Sequence, residues 1–453
     1  MEKPMDLTTG NLLKKIITFS IPLMLSGVLQ LLFNTCDLIV VGKFAGDASL
    51  AAVGSTGSLI NLIINLFMGV SVGANVTVAL AIGKKDYEEV NRLVHTAVLF
   101  SVIAGIILMI FGIFTARFWL ELMDTTTESI DKATLYLQIY FGGMIFLMLY
   151  NFGSSILRAV GETKKPLKYL SLAGAINVVL NLILVIFFHL DVAGVAIATV
   201  VSQAISALLV IRHLTKRTDV VKLDIKKLRI DLKALGSMVY IGLPAGVQGI
   251  LFSISNVVIQ SSVNSFDSTA IVAGNTASQN IESFVYVSMN AFYQSSITFT
   301  GQNYGAKKIE NCKKVLLYSL LCVFISGFVL GIIGYLFGDV LLNLYTDGAE
   351  AIGFGKIRMS IIMTTYFLCG LMDVVVGALR GLGKSIVPTI VTILGVCAFR
   401  LVWIYTVFGA SHTLETLYLS YPLSWLVTGS IHIVSFIFIY KHYKKKFMVE
   451  IYD

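Results

Sequence analysis

Apolar runs of about 20 residues recur from one end of the chain to the other, separated by short polar stretches. A run of that length crosses a hydrocarbon core of about 30 Å as an α-helix. Twelve such runs are predicted, with starts near Lys15, Leu50, Leu93, Ala133, Lys168, Val192, Leu235, Ala270, Lys314, Gly355, Ile386 and Thr413. Strands of a membrane barrel would read as segments of about 10 residues with alternating polarity, a pattern the chain lacks. Inside lipid an open sheet edge leaves backbone groups unsatisfied, so the spans are helical. The expected fold class is an all-α, polytopic membrane protein.

Composition sharpens this. Of 453 residues, 56% are apolar and 13% charged, about half the charge of a soluble domain. Mean hydropathy is +0.84. The opening "MEKPMDLTTGNLLKKI" has no short apolar core with a small-residue cleavage site, so no cleavable leader is expected. Lys and Arg are placed unevenly. The N-terminus, the even-numbered loops and the C-terminus hold 28 of the 34, whereas the opposite loops hold five: Lys43, Arg117, Lys132, Lys356 and Arg358. Arg400 lies inside a span. The positive-inside rule puts the 28, and both termini, in the cytoplasm of a cell-membrane protein. The net charge of +8 is then a topological signal, and the basic loop "RHLTKRTDVVKLDIKKLRIDLK" is not read as a nucleic-acid site. The five cysteines (Cys36, Cys312, Cys322, Cys369 and Cys397) are scattered, without CxxC, and read as small apolar residues.

The chain is written twice. "LRAVGETKKPL" (157–167) returns as "LRGLGKSIVPT" (379–389), an offset of 222. The same offset carries Pro22 to Pro244, Gly83 to Gly305 and Glu88 to Glu310. The expected organisation is an N-lobe over 1–220 (spans 1–6), a basic cytoplasmic linker over 221–234, and a C-lobe over 235–453 (spans 7–12). Six spans per half make the repeat parallel. Duplicated bundles of this kind place substrate at or within the halves and alternate access to it.

Polar stripes run along several spans. Ser26, Gln30, Asn34 and Asp37 fall within roughly 80° of helical arc. An ionised carboxylate at a bilayer centre costs about 2.5–3.5 kcal/mol, so this face looks into a bundle or a watery cavity, or Asp37 anchors at the interface. The fifth span carries Asn177 and Asn181 one turn apart, and the sixth carries Thr199, Gln203 and Ser206 on one face. The eighth aligns Asn275, Gln279, Glu282, Tyr286, Asn290 and Tyr293. Asp373 sits in the tenth and Arg400 in the eleventh, with Asp373 or Glu282 expected as the arginine's partner. Position 259, the repeat of Asp37, is Ile259. Fourteen methionines and an aromatic content of 11% suit adaptable cavity walls.

Enzyme signatures fail. "GALRGLGKS" resembles a phosphate loop but has Ala378 where GxxxxGK[ST] needs glycine, and it follows an apolar span rather than a soluble strand. The six histidines form no HExxH and no ligand cluster. Neither an enzyme nor ATP coupling is expected, which leaves an ion gradient, or the substrate's own, as the drive.

"SIPLMLSGVLQLLFNTCDLIVVGKF", the pair "LRAVGETKKP"/"LRGLGKSIVP" and "GQNYGAKK" resemble the multidrug and toxic compound extrusion (MATE) transporters, from about Leu12 to Tyr440. The resemblance implies two six-helix lobes in a V, and secondary active efflux of organic cations or amphipathic compounds by antiport against H⁺ or Na⁺. It is nearest the DinF-like branch, whose first-span aspartate binds the coupling ion. Asp37 matches that residue, Asn177 and Thr199 match its helix-five and helix-six partners, and Tyr136 matches its helix-four tyrosine. A further helix-five acid of that branch falls at Asn181, a departure that removes one carboxylate. Asp373 matches the tenth-helix aspartate of the NorM-like branch. That branch's seventh-helix acid is missing, with Asn256 or Gln260 nearby.

The coupling set is therefore expected to be Asp37, Asn177, Asn181, Thr199, Tyr136 and Asp373, with Asp37 the candidate Na⁺ ligand. Gln30, Asn34, Gln203, Asn256, Gln279, Glu282, Tyr286 and Arg400 are the expected cavity residues. No cofactor beyond the coupling ion is implied. The partners implied are small amphipathic or cationic substrates and the bilayer, with the protein a monomer. The rival within the superfamily is an exporter of a lipid-linked saccharide or a metabolite, which the single deep arginine counts against.

Overall fold

The structure, a computed structural model, describes residues 5–123 and 125–452, with side chains at all of these except 47, 55, 58, 62 and 450–452. Residues 1–4, which open the segment expected not to be a leader, lie outside the described residues.

The described chain is helical. The first half runs α1 (Leu12–Phe44), α2 (Asp47–Lys84), α3 (Tyr87–Leu122), α4 (Ile130–Gly142), α5 (Met144–Ala159), α6 (Lys164–Leu182) with a π-helical turn (Ile183–Phe187), and α7 (Asp191–Lys216). The second runs α8 (Leu232–Asn264), α9 (Thr269–Gly305), α10 (Ile309–Leu336), α11 (Gly338–Asn343), α12 (Ala349–Thr365), α13 (Phe367–Gly381), α14 (Ile386–Thr392), α15 (Phe399–Trp403) and α16 (Leu414–Tyr452). Two π-helical segments, Ile393–Ala398 and Ile404–Phe408, flank α15. Each expected span start falls within a helix or one residue before it.

Among the described residues, nine helices are long and apolar enough to cross a membrane, or eleven if α4–α5 and α12–α13, bent by 47° and 43°, each count as one span. The remaining expected span is α9, 37 residues long. Its Asn, Gln, Ser and Thr residues keep its hydropathy below that of the others. The flanks of the chain's apolar helices face outward, as at Phe114, 82% exposed, where lipid replaces water.

The repeat is visible in the backbone. Lys85 and Lys307, 222 residues apart, both take the left-handed conformation, with φ of 60° and 57°. So do Gly161 and Gly383, at 83° and 76°, in the two "LRxxG" turns. Each turn closes with a pair of backbone bonds, Gly161 N to Arg158 O and Glu162 N to Leu157 O in the first, Gly383 N to Arg380 O and Lys384 N to Leu379 O in the second. Glycine takes that conformation without a Cβ clash.

By contact the chain forms two compact units. One comprises Leu25–Gly246, and the other combines Asp6–Met24 with the chain from Val247 onward. The divisions fall inside α1 and α8, two residues after Pro22 and Pro244, and are themselves 222 apart. Each unit thus takes the opening turns of one helix from the other half of the sequence.

In the first unit those turns of α8 meet α2 at glycines. Gly69 and Gly73 face Gly242 and Gly246 so closely that a Cβ at Gly73 would collide with the Met238 carbonyl, and one at Gly242 would stand 2.5 Å from the Val70 Cα. Both pairs have GxxxG spacing, which lets helix backbones approach. In the second unit the opening turns of α1 meet α9 through a Ser20–Ser295 hydroxyl contact of 2.5 Å and an edge-on Phe19–Phe299 pair.

Candidate functional site

In the first unit the polar stripe of α1 ends at Asp37, and α6 and α7 bring neutral polar groups to it. Asn181 donates a hydrogen bond from Nδ2 to Asp37 Oδ1. The same nitrogen reaches Asn177 Oδ1 at 3.3 Å. Thr199 Oγ1 donates to Asp37 Oδ2 at 3.4 Å and accepts from Asn177 Nδ2 at 3.5 Å. Four side chains therefore close a ring, because Asn177 and Asn181 are one helical turn apart and present one face. Among the described residues no basic side chain pairs with Asp37. Asn181 is fully buried, yet its Oδ1 has no partner, and neither does the buried Oε1 of Gln203. A buried acceptor without a donor is uncommon and calls for an explanation.

Gln203, one turn beyond Thr199 on α7, lies beside Tyr140. Tyr140 stacks on Tyr136 at 6.1 Å, and both tyrosines lie within electrostatic range of Asp37. Asp37, Asn177, Asn181, Thr199, Tyr136 and Gln203 thus come together. Gln30 and Asn34 sit on the exposed side of α1 and stay outside the ring. The set is rich in oxygen acceptors around one carboxylate, which suits a hard monovalent cation or a proton.

The second unit is built differently. Glu282 on α9 holds Arg358 on α12 in a fork, Nε to Oε1 and Nη2 to Oε2, both at 2.8 Å and both buried. Arg358 Nη1 donates to Asn275 Oδ1 at 2.9 Å, an oxygen that also accepts from the Tyr418 hydroxyl at 3.2 Å. This corrects two expectations. Arg358 is not in a loop: α12 begins at Ala349, which carries the arginine inward. And Glu282 is not the partner of Arg400.

Asp373 does not pair with Arg400 either. Arg400 donates from Nε to Ser424 Oγ at 3.1 Å and lies over the rings of Tyr421, at 4.1 Å, and Trp425, at 5.8 Å. Aromatic faces have taken the place expected for a carboxylate. Asp373 forms no ion pair among the described residues. Tyr286 lies within its electrostatic range and stacks on Tyr366 at 6.5 Å. Asn256 is exposed and Gln279 half-buried, and neither joins the Glu282 cluster. Gln260 accepts from Asn275 Nδ2 at 3.0 Å and so abuts it.

Sequence reasoning missed the buried Arg380, which donates to the Tyr293 hydroxyl and, at 2.8 Å, to Gln248 Oε1. Its repeat, Arg158, donates to Ser155 Oγ at 2.6 Å. The recurrence of "LR" before both glycine turns is the signal that would have found them.

Repeated bundles of apolar helices, each with a polar cluster in its interior, define a multi-pass membrane transporter. The MatE family profile matches residues 22–183 and again 244–406, two stretches starting 222 apart. The chain belongs to the MatE family, the multidrug and toxic compound extrusion transporters. Probable multidrug resistance protein YoeA of Bacillus subtilis is 29% identical over 386 residues, 83% of each chain. Probable multidrug resistance protein NorM of Thermotoga maritima is 24% identical over 394 residues, 86% of this chain and 84% of that one. Multidrug export protein MepA of Staphylococcus saprophyticus is 21% identical over 387 residues, 85% of each. An outward-facing multidrug resistance MATE transporter of the MOP superfamily shares the fold with a TM-score of 0.92 at 23% identity, over 98% of this chain and 99% of that one. A MOP superfamily transporter from Pyrococcus furiosus does so with a TM-score of 0.91 at 23% identity, over 97% and 98%. The family and these relatives are transporters.

Proposed function

We propose that this protein is a secondary active multidrug exporter of the cell membrane, with both termini cytoplasmic, acting as a monomer. It moves amphipathic compounds, organic cations among them, by antiport against H⁺ or Na⁺. One observation carries the coupling: Asp37 stands inside a membrane unit, held by Asn181 and Thr199, which Asn177 links in turn, with no basic side chain among the described residues to neutralise it. Family membership and relatives named for multidrug resistance support the export of drugs.

The ring gives each ion a chemistry. A proton on Asp37 Oδ2 turns that oxygen into a donor, which reverses its hydrogen bond with Thr199 and frees the threonine hydrogen for another acceptor. A sodium ion instead draws on oxygens: the Asp37 carboxylate, and the unpartnered carbonyls of Asn181 and Gln203 once they turn toward it. Either event changes how α1 is tied to α6 and α7, and so couples ion binding to the shape of the first unit. Asp373 is the second coupling candidate, in the other unit.

The test is efflux of a fluorescent organic cation from pump-deficient cells, wild type beside Asp37→Asn at equal membrane abundance. The expected result is loss of gradient-driven efflux by at least about tenfold. Collapse of wild-type efflux by a protonophore assigns H⁺, and its dependence on external sodium assigns Na⁺. Full gradient-driven efflux by Asp37→Asn overturns the assignment and moves coupling to Asp373.

A further inference from the structure

The second unit buries the guanidinium groups of Arg358, Arg380 and Arg400, and among the described residues only Arg358 has a carboxylate, while Arg380 gives hydrogen bonds to Tyr293 and Gln248. Arg358 is neutralised by Glu282. Arg400 is 3% exposed, has no carboxylate within 4 Å among the described residues, and makes a single hydrogen bond, from Nε to Ser424. Arginine stays charged in any protein environment. A buried charge is retained where something compensates it. The rings supply part of this, but Tyr421 serves both cations, at 4.1 Å from Arg400 Cζ and 5.3 Å from Arg358 Cζ, so its face is divided between them.

The geometry says which part of Arg400 is free. Tyr421 covers the flat face of the guanidinium, and Ser424 takes Nε. The two terminal nitrogens have no partner among the described residues, and they form the edge that matches an oxyanion with two parallel hydrogen bonds. The backbone is distinctive here as well. Arg400 lies on a five-residue α-helical turn between two π-helical segments, and π-helical insertions are frequent at functional sites. An arginine with a purely architectural task has a local model in Arg358, whose every polar contact is made by the protein.

We propose that Arg400 receives an oxyanion, and specifically a carboxylate carried by the transported compound. On this reading the first unit handles the coupling cation, and the second recognises an acidic group on compounds that are otherwise amphipathic or cationic. The proposal rests on the exporter reading for its biological meaning, but its test does not depend on transport.

The test uses the purified full-length protein in an uncharged detergent, where no lipid phosphate competes. The probes are a cationic xanthene dye with a free carboxylate and the ethyl ester of the same dye, with binding read by fluorescence anisotropy. Wild type is expected to bind the acid more tightly than the ester. Arg400→Gln is expected to weaken the acid by about tenfold and leave the ester within about twofold. Arg400→Lys keeps the charge, loses the fork and falls between. If Arg400→Gln does not fold, Arg400→Lys carries the test through the acid-to-ester ratio, which must fall. Equal loss of both dyes, or of neither, overturns the proposal. So does displacement of the acid dye by inorganic phosphate as readily as by benzoate, which assigns the site to small anions. Dye binding in detergent needs no ion gradient, so failure of the coupling reading and failure of this one show separately.

Discussion

The two polar clusters occupy matching places in the two halves and carry opposite charge. At the offset of 222, Tyr136 corresponds to Arg358, Thr199 to Tyr421, Gln203 to Trp425, and Asp37 to Ile259. The first unit surrounds a carboxylate with neutral amides and hydroxyls. The second removes that carboxylate, places an arginine where the tyrosine was, and lines it with rings. The scaffold has been kept: the proline-bearing helices, the left-handed lysines and the glycine turns all recur. Backbone requirements and site chemistry have therefore been set independently within one chain. A duplicated bundle with a conserved scaffold and divergent interiors can give its halves different tasks, one for the driving ion and one for the cargo.

The strongest way to break this comparison is through Glu282. If its ion pair is the architectural element of the second unit, Glu282→Gln leaves Arg358 buried and unpaired. That should destabilise the protein by about 3–5 kcal/mol, whereas replacing both by apolar residues, Glu282→Leu with Arg358→Met, should recover most of the loss. Asp37→Asn, which removes no ion pair, should change stability by less than about 1 kcal/mol while abolishing coupled transport. Thermal unfolding in detergent measures all three. A stable Glu282→Gln protein with altered efflux would mean that both clusters are working sites.

A smaller effect separates the two helix crossings. The offset carries the Gly73–Gly242 contact of the first unit onto the Ser295–Ser20 contact of the second. Gly73→Ala drives a methyl into the backbone of α8, where nothing can yield without a helix shift, and should cost about 1–3 kcal/mol. Ser295→Ala loses one hydrogen bond and should cost about 1 kcal/mol. Unfolding midpoints of the two variants provide the comparison. Equal losses would show that the crossings are equivalent despite their different residues.

What the sequence made legible follows the physics that acts along one helix. Hydropathy places the spans, because every helix must match the same hydrocarbon thickness. Helical spacing groups Asn177 with Asn181 and Thr199 with Gln203. Asp37 stands out because a carboxylate in an apolar run needs a reason. What stayed hidden depends on contacts between helices. Arg358 reads as a loop residue because Lys356 lies two positions before it and charged pairs mark span ends. Only the early start of α12 takes the arginine inward. The partner of Arg400 could not be read because aromatic faces and carboxylates both satisfy a guanidinium, and the chain offers many rings. The sharing of α1 and α8 between units leaves no mark in hydropathy, since both parts of each helix are equally apolar. The π-helical segments around α15 have no sequence signature either.

The smallest predicted effect concerns a contact that only the first half possesses. Glu162 follows the first glycine turn, and its repeat is Lys384. Its Oε2 accepts from Arg217 Nη1 and lies 3.3 Å from His213 Nε2, tying the α5–α6 turn to the end of α7. Burial alone would raise the Glu162 pKa, but the hydrogen bonds from His213 and Arg217 and the charge of Arg217 outweigh it and hold the carboxyl below its ordinary value. The folded state thus binds a proton less readily than the unfolded chain, whose glutamate titrates near about 4.3. The contact contributes fully above that pH and is lost as pH falls through the lower, folded value. Glu162→Gln should lower stability at pH 7 by about 1 kcal/mol and leave a shallower decline on acidification than wild type. Melting curves of the two proteins from neutral pH down to about pH 3.5 test this. Parallel declines would mean that the tie between the glycine turn and α7 does not depend on the carboxylate, and that this corner of the first unit is as insensitive to acid as its lysine-bearing counterpart in the second.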